Sequence, residues 1–347
     1  MILNAYAVLD VFTSLLRLLL GLLVIGLGLP VWWQWKASVR SEGRGLLEDR
    51  SYLVFLLALL LVALNLASWP LFYLLLQSYV PEWPDVMCIY GVTQVGAGSL
   101  GPSRFLPGLL TALQMIKPVL VFLTGAWLVL YWVNRSTATG PLLPRVLLVV
   151  IALGLFAVVD SVIEGAYLVI PKKEEFLSAG CCMQAFDARS RTPELLPRLL
   201  AGADRGPWLY AAYYGINVGM CLALAVYVRL PQWRRTGARL APLCLGALVS
   251  LPVNLVFLIE IASPALLHMP HHHCPYDLVS AAPESMAAVA LFVVGSFSVG
   301  WACTAGWFGT CAETRPFLGQ EIGKLLRLGF LGYVASTAML SVELILA

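Results

Sequence analysis

The chain has 347 residues, of which 60% are hydrophobic and 12% charged, with a formal net charge of +3. Soluble domains carry about one quarter charged residues, so a water-soluble fold is excluded. The charge is too small and too scattered for nucleic-acid binding, because no block of like charges occurs. The solvent this composition demands is a lipid bilayer, and the fold class it implies is an all-α integral membrane protein.

A helix needs about 20 mostly apolar residues to cross the hydrocarbon core. Eight segments meet that length, at 9–33, 51–78, 106–133, 146–170, 208–230, 240–263, 286–310 and 325–346. The first carries Arg17 inside it and ends in Leu29-Pro30-Val31-Trp32-Trp33, with no small-residue cleavage site before the basic loop, so it reads as a retained helix. Tryptophans at helix ends, such as Trp32, Trp132, Trp208 and Trp307, are what interfacial aromatic belts look like.

Lysine and arginine in the loops give an orientation. The loops after helices one, three, five and seven hold Lys36, Arg40, Arg44, Arg50, Arg135, Arg145, Arg229, Arg234, Arg235, Arg239, Arg315, Lys324 and Arg327. The opposite face holds Arg104, Lys172, Lys173, Arg189, Arg191, Arg198 and Arg205. The first set is therefore expected to be cytoplasmic, with both termini extracytoplasmic and the protein in a bacterial inner membrane. On that orientation Cys88, Cys181, Cys182 and Cys274 face outward, and Cys221, Cys244, Cys303 and Cys311 lie in helices or at the cytoplasmic border as packing residues.

Short matches recur in the same order in both halves. Leu29-Pro30-Val31-Trp32 pairs with Leu230-Pro231-Gln232-Trp233, Asn65-Leu66 with Asn254-Leu255, and Cys88-Ile89-Tyr90 with Cys274-Pro275-Tyr276. Phe122-Leu123-Thr124-Gly125 likewise matches Phe292-Val293-Val294-Gly295, and Ser161 to Glu164 matches Ser341 to Glu343. They predict two tandem four-helix repeats in parallel orientation, 1–170 and 208–347, joined by an extracytoplasmic loop at 171–207 that carries the vicinal cysteines. An even number of crossings per repeat requires an axis along the membrane normal.

Two constellations carry chemistry. The first is on the outward face, where His268, His271, His272 and His273 precede Cys274 and all four histidines of the chain lie within six residues. Adjacent Cα atoms stand about 3.8 Å apart, less than the usual disulfide span. Unstrained pairing would send one of Cys181 and Cys182 to Cys88 and the other to Cys274 as two staples, whereas a strained vicinal Cys181–Cys182 bond would be exchangeable with a partner thiol. Thiolate and imidazole together suit copper(I) or zinc, so the histidines with Cys274 form a candidate metal site; a thiol relay would hand electrons to a quinone. With the opposite orientation the thiols would be reduced, and a zinc site would be the better expectation. The partner would be an extracytoplasmic thiol protein or metallochaperone. No histidine lies in a helix, so no haem is expected within the bundle.

The second constellation is intramembrane charge, which costs roughly 2.5–3.5 kcal/mol per residue at a helix centre and marks function by default. Asp160 and Glu164 share one face of helix four. Lys117 lies in helix three, Glu260 in helix six, Glu343 in helix eight, and Asp10 and Arg17 in helix one. Two further readings follow, an ion or small-solute transporter lined by these groups, and a non-catalytic subunit of a membrane complex. Gly96 to Gly101 spells a GxGxxG string but precedes a membrane helix, so no nucleotide site is expected there.

Overall fold

The computed structural model describes residues 4–37, 44–83, 86, 88–96, 100–172, 205–231, 237–269 and 273–347. Among them there is no strand, and eight helices are long and apolar enough to cross a membrane. The chain divides into two compact units, Met1–Cys181 and Cys182–Ala347.

Unit 1 contains α1 (Ala5–Ala37), α2 (Arg44–Tyr79), the short α3 (Ile89–Gln94), α4 (Leu106–Arg135) and α5 (Leu143–Val169). Long runs of Leu, Val and Ala give helix rather than strand here, because in hydrocarbon every backbone N–H and C=O must be satisfied within its own segment. α4 and α5 each open with a proline in the first turn, where the missing N–H has no helical partner to lose. α1 packs on α2 and α5, and α5 packs on α4. The α1–α5 seam closes at two glycines, since a Cβ on Gly21 would stand 2.9 Å from the Gly154 carbonyl oxygen.

The polarity of this bundle is inverted relative to a water-soluble one. Leu15 and Leu19 are 55% and 58% exposed, whereas Arg17 between them is 0% exposed. A bilayer makes that arrangement favourable outside, and it leaves the buried charge to be explained by its partners.

Unit 2 contains α6 (Arg205–Arg229), α7 (Ala241–Phe257), a π-turn at Leu258–Ala262, the single turn α8 (Ser263–Leu266), the short α9 (Pro275–Ala281), α10 (Pro283–Phe308) and α11 (Arg315–Leu346). α6 packs on α7 and α11, and α11 packs on α10. Taken in order, the four long helices of each unit thus have the same neighbours: first with second, first with fourth, third with fourth. In each unit a cysteine, Cys88 or Cys274, is the residue immediately before the short helix that precedes the third crossing.

The last helix starts ten residues earlier than the apolar run predicts. Pro316 opens it, and its first turns are polar, with Lys324 Nζ 2.7 Å from Glu321 Oε1 one turn apart. A criterion based on apolar length sees only the membrane part of such a helix.

Candidate functional site

The charged residues of unit 1 converge. Asp160 and Glu164 lie one turn apart on α5 and are fully buried. Arg17 of α1 donates one guanidinium nitrogen to Asp160 Oδ2 and the other to Glu164 Oε2. Lys117 of α4 brings its Nζ to 3.2 Å from Asp160 Oδ2 and 3.4 Å from Glu164 Oε1, and the same ammonium lies 4.8 Å above the Phe72 ring of α2. Asp10, two turns before Arg17 on α1, is 0% exposed and faces Glu164, with Lys117 and Arg17 as its nearest cations. No N–H or hydroxyl among the described residues donates to its oxygens, and the Glu164 carboxyl beside it can share a hydrogen bond with Asp10 only when one of the two holds a proton.

Two cations therefore meet three carboxylates, so one negative charge is in excess whenever all three are ionised. Nearby polar atoms are also without partners among the described residues: Asp160 Oδ1, Arg17 Nε, Ser161 Oγ and the Tyr79 hydroxyl. Tyr79 and Tyr167 are both buried and both sense the Asp10 charge. Lys172, just beyond α5, caps this end. Its ammonium donates to the Tyr167 carbonyl at 2.9 Å and lies 4.3 Å and 5.6 Å from the Tyr167 and Tyr79 ring centres. Burial pushes the Lys172 ammonium down to about 8.

The interior of unit 2 is built mostly from neutral polar groups. Asn217 and Asn254 exchange amide hydrogen bonds at 3.2 and 3.3 Å. The Tyr333 hydroxyl joins Ser250 at 2.6 Å and Ser296 at 3.0 Å, and Tyr214 meets Ser341 at 2.9 Å. Tyr213 stacks on Phe257 with ring centres 3.9 Å apart. Glu343 sits near Glu284, and its oxygens are buried without hydrogen-bond partners among the described residues.

On the loop side of unit 2, Glu260 projects from the π-turn, a helix irregularity common at functional positions. His273 places Nδ1 3.7 Å from Glu260 Oε2 and 3.2 Å from the Ile259 carbonyl oxygen. Cys274 is buried, and its sulfur lies within 4.8 Å of an Asp277 carboxylate oxygen, but His273 does not join those two within that distance. His268 is exposed and takes a left-handed φ of 52°.

Of the residues singled out in the sequence, Asp160, Glu164 and Lys117 come together in unit 1, and the structure adds Arg17 and Asp10 to them. Glu260 and Glu343 belong to unit 2. Cys88 is buried before α3. Cys181, Cys182, His271 and His272 lie outside the described residues, and with them the expected cysteine pairings and the histidine run. The sequence marked Asn65 only as part of a repeat match and did not mark Trp127; both are buried polar groups, on α2 and α4. The usable signal was an amide and an indole on interior faces of otherwise apolar helices. Comparison with protein-family models, with curated proteins and with solved structures returns no match.

Proposed function

We propose that this multi-pass membrane protein is a transporter whose unit 1 passes protons or small cations by way of the Asp10, Arg17, Lys117, Asp160 and Glu164 cluster. The observation that carries the reading is the excess carboxylate. One cation and one carboxylate suffice to fix helix register, and a buried ion pair is in any case weak support for stability. A third carboxylate facing Glu164, with no donor of its own, gives the cluster a place to take up and release a cation. Intramembrane ionisable groups of this kind mark ion paths and proton relays. The matching helix neighbours and the matched cysteines support a tandem duplication in which the first copy gathers its interior charges into one cluster. The lysine and arginine distribution supports placing the Lys172 end outside the cell, in a bacterial inner membrane.

The test is proton movement into liposomes that contain the purified protein and an internal pH dye, driven by a potassium diffusion potential. The wild type is expected to acidify the lumen faster than protein-free vesicles, and Asp10→Asn to abolish the difference. Equal rates with and without protein, repeated with sodium in place of the proton gradient, would overturn the reading.

A second reading is favoured by the His273–Glu260 and Cys274–Asp277 pairs: a copper(I) or zinc site on the loop face, served by a thiol protein or metallochaperone. A carboxylate or carbonyl on one imidazole nitrogen leaves the other to bind metal. Native mass spectrometry of protein equilibrated with either metal would show one bound ion, lost in His273→Ala. A mass unchanged by metal would remove this reading.

A further inference from the structure

We infer that unit 1 holds an uncharged continuation of the same path, a water-binding site made by Asn65, Thr124 and Trp127 between α2 and α4, and that the ion it serves is the proton. This rests on the transport reading above and names its substrate.

Two contacts fix how α2 and α4 face one another. Lys117 Nζ lies over Phe72 at 4.8 Å, and the rings of Phe55 and Tyr131 meet edge to face at 5.4 Å. The helices run antiparallel, so moving from the first contact toward the second goes down α2 in number and up α4. Seven residues along each helix, two turns, stand Asn65 and Thr124, and Trp127 follows one turn after Thr124. All three are buried, at 5%, 4% and 3% exposure.

Their hydrogen-bonding capacity is largely unspent. Neither the nitrogen nor the oxygen of the Asn65 amide has a partner among the described residues, nor does Trp127 Nε1. Thr124 donates to the Leu120 carbonyl at 2.9 Å, which leaves its oxygen free to accept. Buried polar groups left unpaired are unfavourable, and a site with two to four such groups is the kind that holds an ordered water. The alternative route is shut, because α1 and α5 approach backbone to backbone at Gly21 and Gly154, one turn or more past Arg17 and Asp160.

The donor count decides which ion. Metal cations of the sodium or calcium type need a shell of oxygens. The unspent groups are two kinds of N–H donor, an indole and an amide, against one amide oxygen and one hydroxyl. That lining suits water molecules relaying a proton and repels a bare cation. In a cycle one proton enters at the Asp10–Glu164 carboxylates and one leaves through the water chain. Only O–H bonds form and break, and the charge of the cluster is restored.

The test compares Asn65→Leu, Trp127→Phe and Asp10→Asn with wild type in the vesicle assay, with sodium and potassium flux measured in parallel and melting temperature as control. Asn65→Leu and Trp127→Phe should each lower proton flux by about tenfold, the effect of a barrier higher by about 1.4 kcal/mol. Each should lower the melting temperature only modestly, by loss of the bridging water and, for Trp127→Phe, of buried ring volume, so flux is compared at a temperature at which every variant is folded. Wild-type proton flux in both, with Asp10→Asn inactive, would overturn this inference and leave the cluster reading intact. Wild-type flux in all three would overturn both. Sodium or potassium flux through the wild type would overturn the assignment of the proton. Should Asn65→Leu fail to fold, Trp127→Phe decides, its flux being read below its own melting temperature because it removes part of a buried ring together with the N–H.

Discussion

Arg17 is the residue on which the interior of unit 1 depends, because it is the cation that engages both α5 carboxylates at once. Arg17→Met should cost roughly 3–5 kcal/mol, the usual penalty for leaving buried charges without their partner. Thermal unfolding in detergent would measure it, and an unchanged melting temperature would mean that Lys117 alone satisfies the pair. Asp10→Asn should behave oppositely, holding or raising stability, because it removes the carboxylate that has no donor. Lys172 gives a pH dependence. Its folded pKa of about 8 lies below the usual lysine value of 10.5, so between these values the unfolded chain binds more protons and stability rises with pH. Lys172→Met should therefore melt higher than wild type near pH 7, with the gap closing above about pH 8; a gap that widens would contradict the burial argument. The sequence showed part of this cluster. Asp160 and Glu164 at a four-residue spacing declared a shared face, and Lys117 was their expected partner. Arg17 and Asp10 were visible as intramembrane charges, but which face of α1 they occupied relative to α5 depends on packing, which one-dimensional spacing does not contain.

At the scale of the helix, apolar run length was enough to find all eight crossings, because bilayer thickness sets it. It was not enough to find their polar extensions, as in α11, or the π-turn at Leu258–Ala262, which is followed by Pro264, a residue with no N–H to give the Glu260 carbonyl and one that a criterion of apolar length does not read. Close helix contacts are also set by single residues. A Cβ added to Gly332 would stand 2.6 Å from Gly295 Cα, and backbone cannot yield as a side-chain tip does. Gly332→Ala should thus push α10 and α11 apart and destabilise by about 1–3 kcal/mol, the usual cost of overpacking. Thermal unfolding would register it; an unchanged melting temperature would show that the helices can separate freely.

For the whole molecule, two units with the same helix neighbours have different interiors, one with Asp10, Arg17, Lys117, Asp160 and Glu164 gathered together and one built mostly from Tyr, Asn and Ser. If unit 1 conducts protons, its charged interior holds an exchangeable proton on its three carboxylates. Infrared difference spectroscopy of the protein in membranes, titrated with pH and repeated in heavy water, reports this directly through the carbonyl stretch of a protonated carboxyl group. Such a band is expected in the wild type, sensitive to deuterium, absent in Asp10→Asn and shifted in Glu164→Gln. A spectrum showing only ionised carboxylates across the titration, identical in Asp10→Asn, would contradict it and leave the cluster as a fixed lattice of ion pairs.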